Sequence, residues 1–190
     1  MRIRCKNDYL ELLKKLKKEA NEVNGTYEFI ARTIEFAGNT EMVKSTFGIT
    51  DDFEREFIGA ISKFEKKEIG PFLTEKYFLL IPGIKMAMGK LIRDCDETRR
   101  CILNFPPDHC FQSMQFLLRE NTVHVVCYMR SCNAVKNLPF DMWLCAKMAD
   151  IYAQTYMKMF PTKSRPYGYY SISMMFGSLH MFKEDSNYVL

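Results

Sequence analysis

A chain of 190 residues is long enough to bury one substantial core, so a single domain over 1–190 is expected. Its 47% hydrophobic and 26% charged residues exclude a disordered chain. The net charge of +4 is mild and its basic residues are scattered along solvated faces, as at Lys14, Lys15, Lys17 and Lys18 or Lys66 and Lys67, which argues against a nucleic-acid-binding stripe. Leu10, Leu12, Leu13, Leu16, Ala20 and Val23 follow a helical period, with Asn7 and Asp8 suited to its N-cap and Gly25 to its end. From Phe29 to Lys67 helix-like spacing continues at Phe53, Phe57, Ile58, Ile61 and Phe64, broken by Gly48 and Gly59, and Ile84–Ile92 is predicted helical after Pro82–Gly83.

The second half changes character. Arg100–Phe105 is predicted as a short strand stopped by Pro106–Pro107. Met114–Leu118 and Thr122–Tyr128 form a hairpin pattern around Arg119–Glu120–Asn121. Pro139 opens a long apolar helix from Phe140 to about Phe160, and Tyr169–Phe182 is a last strand with a break expected at Gly177. Helices followed by mainly antiparallel strands and one buried helix predict an α/β domain of layered, α+β type.

The seven cysteines include no CxxC pair, and the histidines His109, His124 and His180 are too dispersed for a metal site. No leader-like segment at Met1–Tyr9 and no apolar run of membrane-spanning length leave a reduced, cytoplasmic protein with no membrane partner as the expectation. Most of the thiols, Cys132 and Cys145 among them, read as core packing, as do Trp143 and the methionines of the long helix.

One window carries chemistry. Cys110 precedes Gln115–Phe116 by five positions, Arg130–Ser131 follows it by twenty, and Pro139–Phe140–Asp141 ends thirty-one positions after it. Thr98–Arg99–Arg100 stands upstream before an Ile/Leu strand, and Gly177–Ser178–Leu179–His180–Met181–Phe182 closes the window. This order and spacing over Arg99–Phe182 resembles the thymidylate synthase family, which includes the deoxycytidylate hydroxymethylases. The resemblance implies that fold, a mixed sheet with a long buried helix, shortened at both ends, in a homodimer, with Cys110 as the nucleophile. It further implies that Arg130 and Ser131 grip the nucleotide phosphate and that Arg99 and Arg100 reach a partner subunit's phosphate. His180 would hold the sugar, Asp141 would read the base, and Gln115 and Asn133 would complete the substrate contacts. The implied cofactor is 5,10-methylenetetrahydrofolate and the implied ligand a pyrimidine nucleoside monophosphate. The chemistry fits these residue types: a thiolate adding at C6 makes C5 nucleophilic toward a one-carbon electrophile, and arginine's planar fork suits phosphate.

Departures from the family refine the expectation. Asp141 stands where thymidylate synthases carry Asn. A carboxylate accepts from the N4 amino group of cytosine but cannot donate to O4 of uracil, so cytidylate is the favoured substrate, as in the hydroxymethylase branch. Asn133 replaces an Asp that serves folate and catalysis, Asn137 replaces a loop Gly, Ser178 replaces an Asp, and Phe182 lacks the hydroxyl that would meet the ribose. His109 precedes the nucleophile where the family has a His after it, and it reads as incidental. The family's water-organising Glu has no clear counterpart, with Glu54, Glu56 and Glu65 available. Cytidylate 5-hydroxymethylation leads, with thymidylate synthesis on dUMP and non-catalytic nucleotide binding as alternatives.

Overall fold

The computed structural model describes residues 1–52, 54–55, 88–90, 93, 99–163, 166 and 168–188. Its first elements are β1 (Arg2–Ile3), α1 (Lys6–Glu19), β2 (Asn21–Val23), β3 (Thr26–Gly38) and α2 (Thr40–Phe47). After these come β4 (Ile102–Asn104), β5 (Phe111–Arg119), β6 (Thr122–Asn133), α3 (Leu138–Met159), β7 (Tyr170–Phe182) and a 3-10 turn at Lys183–Tyr188. The strands form one seven-stranded mixed sheet in the order β1-β3-β7-β6-β5-β4, with β2 paired to β3. The pairs β6–β7 and β1–β3 are parallel and the others antiparallel, so the sheet is mixed, as expected, with antiparallel pairs in the majority.

The hairpin of β5 and β6 matches its prediction. Its loop, Glu120–Asn121, has both residues at positive φ (49° and 59°), the twist that suits a two-residue connection. The predicted helix from Phe140 is α3, opened by Asn137 with Pro139 in its first turn. Gly48 ends α2 in the left-handed region at φ 72°. The remaining expected helical positions Phe53, Phe57, Ile58, Gly59, Ile61 and Phe64 lie outside the described residues. Of Ile84–Ile92, only Met88–Lys90 is described, and it is helical.

Two expectations need correction. The helix ends at Glu19 and starts with Cys5 at its N-cap position, without a side-chain capping bond, and Asp8 in the first turn. Gly25 is the second residue of an Asn24–Gly25 hairpin turn with φ 48° and 79°. The segment that follows, 26–38, is strand rather than helix. Asn-Gly is the strongest short hairpin signal, and here it outweighs the weak helical spacing beyond it.

A fault line explains why β3 reads poorly. In β7 the buried positions are Tyr170, Ile172, Met174 and Phe176, then Leu179 and Met181. The phase inverts at Gly177, which bends the strand's facing without breaking it. In β6, Val123 to Met129 are buried in alternation and Cys132 resumes beyond Arg130; in β5, Phe111 gives way to Met114 and Phe116 across a register shift. In β3, Tyr27 and Phe29 pack on the core before Ala31 (φ 52°), and Ile34 and Phe36 after it. Burial thus changes phase at one level in four neighbouring strands: β3, β7 and β6 do so in step, with no slip in their pairing, and β5 does so through a bulge against β6.

The described helices cover one face. α3 lies over β6 and β7 and against α2, which also meets α1. Trp143 and Tyr152 are fully buried, and Tyr152 stacks on Phe116 at 5.4 Å. Each such large apolar side chain contributes about 1.5–3 kcal/mol by leaving water. On the opposite face, register aligns Ile102, Gln115, Val126, Ser173 and Glu35 in one row and Asn104, Ser113, Tyr128, Met175 and Thr33 in the next. Ile102, Tyr128 and Met175 remain 43%, 44% and 42% exposed there. Among the described residues no helix is long and apolar enough to cross a membrane.

Candidate functional site

The fault line ends where the candidate residues gather. Cys110 immediately precedes β5, and its carbonyl oxygen accepts from the N–H of Arg130 on β6 at 2.8 Å. The phase inversion makes this bond, since the extra residue in β5 turns its first segment back toward β6. Arg130 is exposed, while Cys110 is half-buried with its side chain against the core. Gly177 of β7 lies beside them, and a Cβ there would stand 2.7 Å from the Arg130 carbonyl oxygen. Only glycine lets β7 approach this closely.

Farther along β6, Ser131 is half-buried and pairs with Ser178 of β7, whose hydroxyl donates to Glu28 of β3. His180 pairs with Asn133 on one side and Glu28 on the other, and its carbonyl accepts from Ala134 N–H at 2.7 Å. Burial lowers the pKa of His180, with the Glu28 charge pulling the other way. The imidazole is therefore biased toward its neutral form, which can both donate to and accept from a hydroxyl.

Asp141 sits in the first turn of α3 and is 1% exposed. Its Oδ2 accepts from the thiol of Cys132 at 3.4 Å. The start of a helix favours negative charge, which offsets part of the cost of burying a carboxylate. Cys132 packs in the core, as expected, and also donates to this carboxylate. Burial holds its thiol well above the usual range, and the Asp141 charge pushes the same way, so it stays a donor. Burial likewise raises Cys145, whose sulfur lies 3.4 Å from that of Cys127, and takes Cys101 to about 12. The described cysteines, Cys110 included, form no disulfide.

Asn133 is committed to the fold. Its Oδ1 accepts from Val135 N–H at 2.9 Å and Lys136 N–H at 2.8 Å, and its Nδ2 donates to Asp185 at 3.3 Å. Asp185, buried in the closing 3-10 turn, is ion-paired to Lys136 at 3.1 Å. Asn133 therefore shapes the loop between β6 and α3, which does not fit the folate contact that the resemblance puts at its position.

Three expected site residues lie apart from the others. Gln115 belongs to the sheet face away from α3, and its Nε2 donates to the Arg99 carbonyl at 2.7 Å. That contact ties Arg99 to the uncovered face, opposite the layer that holds Asp141. Arg100 is exposed beside it, its carbonyl accepting from Ile102 N–H at 2.8 Å. His109 is buried between Phe105 and Phe111, with ring centroids 5.6 and 6.3 Å away, as befits a packing residue. Glu54 pairs with Lys44 and Lys147 at 2.8 and 2.5 Å, while Glu56 and Glu65 lie outside the described residues. Among the described residues no group of His, Cys, Asp or Glu is arranged to hold a metal.

The sequence reading passed over Glu28, Cys132 and Asp185. Glu28 follows the Asn24–Gly25 turn, and a hairpin assignment there would have put it in a strand. The other two are brought in by the strand-to-helix connection and by the chain's closing turn, which have no local signature. Compared with known proteins, the sequence matches no family model, and no curated protein matches it.

Proposed function

We propose that this chain binds a pyrimidine nucleoside monophosphate and activates it at C5 by adding the thiol of Cys110 to C6. On this reading it is a one-carbon transferase with a thymidylate-synthase-like fold, and its preferred substrate is a cytidylate. The observation that carries the reading is the backbone bond from Arg130 to Cys110, which sets a thiol next to a strand bearing an exposed guanidinium. Arg130 and Ser131 take the phosphate, Asp141 accepts from the N4 amino group, and His180 meets a sugar hydroxyl.

Bond changes balance within the ring. The sulfur–C6 bond forms as the C5=C6 electrons move through C4 onto N3, which takes up a proton (in uracil they reach the C4 carbonyl oxygen). C5 then gains a new bond and loses its hydrogen as a proton. Expulsion of sulfur restores the double bond and the free thiol. In the family that this chain resembles, methylenetetrahydrofolate supplies the one-carbon unit. Since Asn133 does not fit a folate contact, the reading rests on the nucleotide half of the site.

A homodimer belongs to the same reading. The exposed Tyr128 and Met175 lie side by side, with Ile102 in the neighbouring row on β4, on the sheet face that no described helix covers, where Gln115 anchors Arg99. A second copy covering that face would bring Arg99 and Arg100 toward the partner's phosphate.

The test is release of tritium from C5-labelled cytidylate and uridylate, with and without methylenetetrahydrofolate. Release from cytidylate above uridylate supports the reading. Nucleotide binding with no release from either would leave a binding protein and overturn the enzymatic part.

A further inference from the structure

We infer that Cys132 is a specificity-determining residue that positions the carboxylate of Asp141 for a cytosine amino group. The inference rests on the assignment of Asp141 as base reader. Cys132 is 2% exposed and Asp141 is 1% exposed, and the two come from different elements, the end of β6 and the first turn of α3. Their contact of 3.4 Å between Sγ and Oδ2 therefore spans the layer boundary that fixes α3 on the sheet.

The thiol has one proton and two acceptors in reach, since the Asn133 carbonyl oxygen lies at 3.5 Å. Asp141 wins this competition, because a charged acceptor makes the stronger bond and here is also slightly nearer. A carboxylate on a single-bonded stem rotates readily unless one oxygen is held. With Oδ2 engaged by a sulfur that stays protonated, the thiol is one of the contacts that set the direction of the carboxylate. A cytosine N4–H donor then meets a fixed acceptor, whereas uracil O4 finds no proton there.

The consequence is selective. Loss of the thiol proton should cost cytidylate, whose bond depends on the orientation, and spare uridylate, which forms no such bond. A residue that only fills space would weaken both nucleotides together.

The experiment measures binding of cytidylate and uridylate by calorimetry to the full-length wild type, Cys132→Ala, Cys132→Ser and Asp141→Asn, with folding checked by circular dichroism. Expected for Cys132→Ala is a loss of about three- to tenfold in cytidylate affinity, with uridylate within about twofold. Cys132→Ser retains a donor and should recover most of the loss; it also serves if the alanine variant does not fold. Equal losses for both nucleotides, or an unchanged ratio in the Cys132 variants while Asp141→Asn shifts it, overturns the role of Cys132 alone. An unchanged ratio in Asp141→Asn overturns the base reader, and the positioning role with it.

Discussion

The N–H of Arg130 donates to the carbonyl oxygen of Cys110 at 2.8 Å, so the candidate nucleophile and the candidate phosphate grip are joined through main chain alone. Truncating either side chain leaves that bond intact. Arg130→Ala should therefore weaken nucleoside monophosphate binding by about 1.5–3 kcal/mol while leaving free nucleoside binding unchanged. Calorimetry with both ligands makes the comparison, and equal losses would show that Arg130 acts through folding.

Cys110→Ser should abolish exchange of the C5 hydrogen and keep the nucleotide bound, because the thiol acts in the covalent step. Burial also separates the thiols. Cys101, Cys127, Cys132 and Cys145 are buried, whereas Cys110 is half-buried and Cys5 exposed. A brief alkylation of the native protein, read by peptide mass spectrometry, should mark Cys5 and Cys110 before the other described cysteines. A bound nucleotide should protect Cys110 and not Cys5, and labelling of Cys110 unaffected by nucleotide would count against its placement in the site.

Gly177→Ala would set a methyl carbon 2.7 Å from the Arg130 carbonyl, a backbone atom that cannot swing away. We expect a loss of about 1–3 kcal/mol in stability together with weaker phosphate binding. Gly48→Ala is the control: its φ of 72° carries strain of about 1–2 kcal/mol, but no atom lies within 4 Å of the new Cβ. It should lower the melting temperature without touching nucleotide affinity. Identical binding by both variants would mean that the close approach at Gly177 does not serve the site.

Asn133→Asp would place a second carboxylate within about 3.3 Å of Asp185. Like charges this close raise a carboxylate pKa in the folded state. A raised folded pKa contributes stability at low pH that is lost as pH rises through it. The variant should therefore melt well below wild type near pH 7, and the gap should narrow toward about pH 4. A gap independent of pH would show that Lys136 fully offsets the added charge.

The sequence made some of this legible and hid the rest for physical reasons. The β5–β6 hairpin announced itself through alternation, and α3 through a long apolar run opened by Pro139. β3 did not, because the inversion at Ala31 spoils any single alternation across Thr26–Gly38. Gln115 could have been sent to the uncovered face from its own strand, since Met114, Phe116 and Leu118 claim the other side. The Cys132–Asp141 bond had no such signal. A thiol next to an Arg-Ser pair looks like packing until the helix folds back over the strand.

The change of burial phase at one level of four strands also restricts how this chain can change. Insertion or deletion of one residue in β6 alone would turn its distal half over, exposing Cys132 while β7 still buried Leu179 and Met181. The same holds for β3, β5 and β7. These strands can gain or lose a residue near the fault only in concert, so a graft of the site onto another scaffold must carry all four as one cassette.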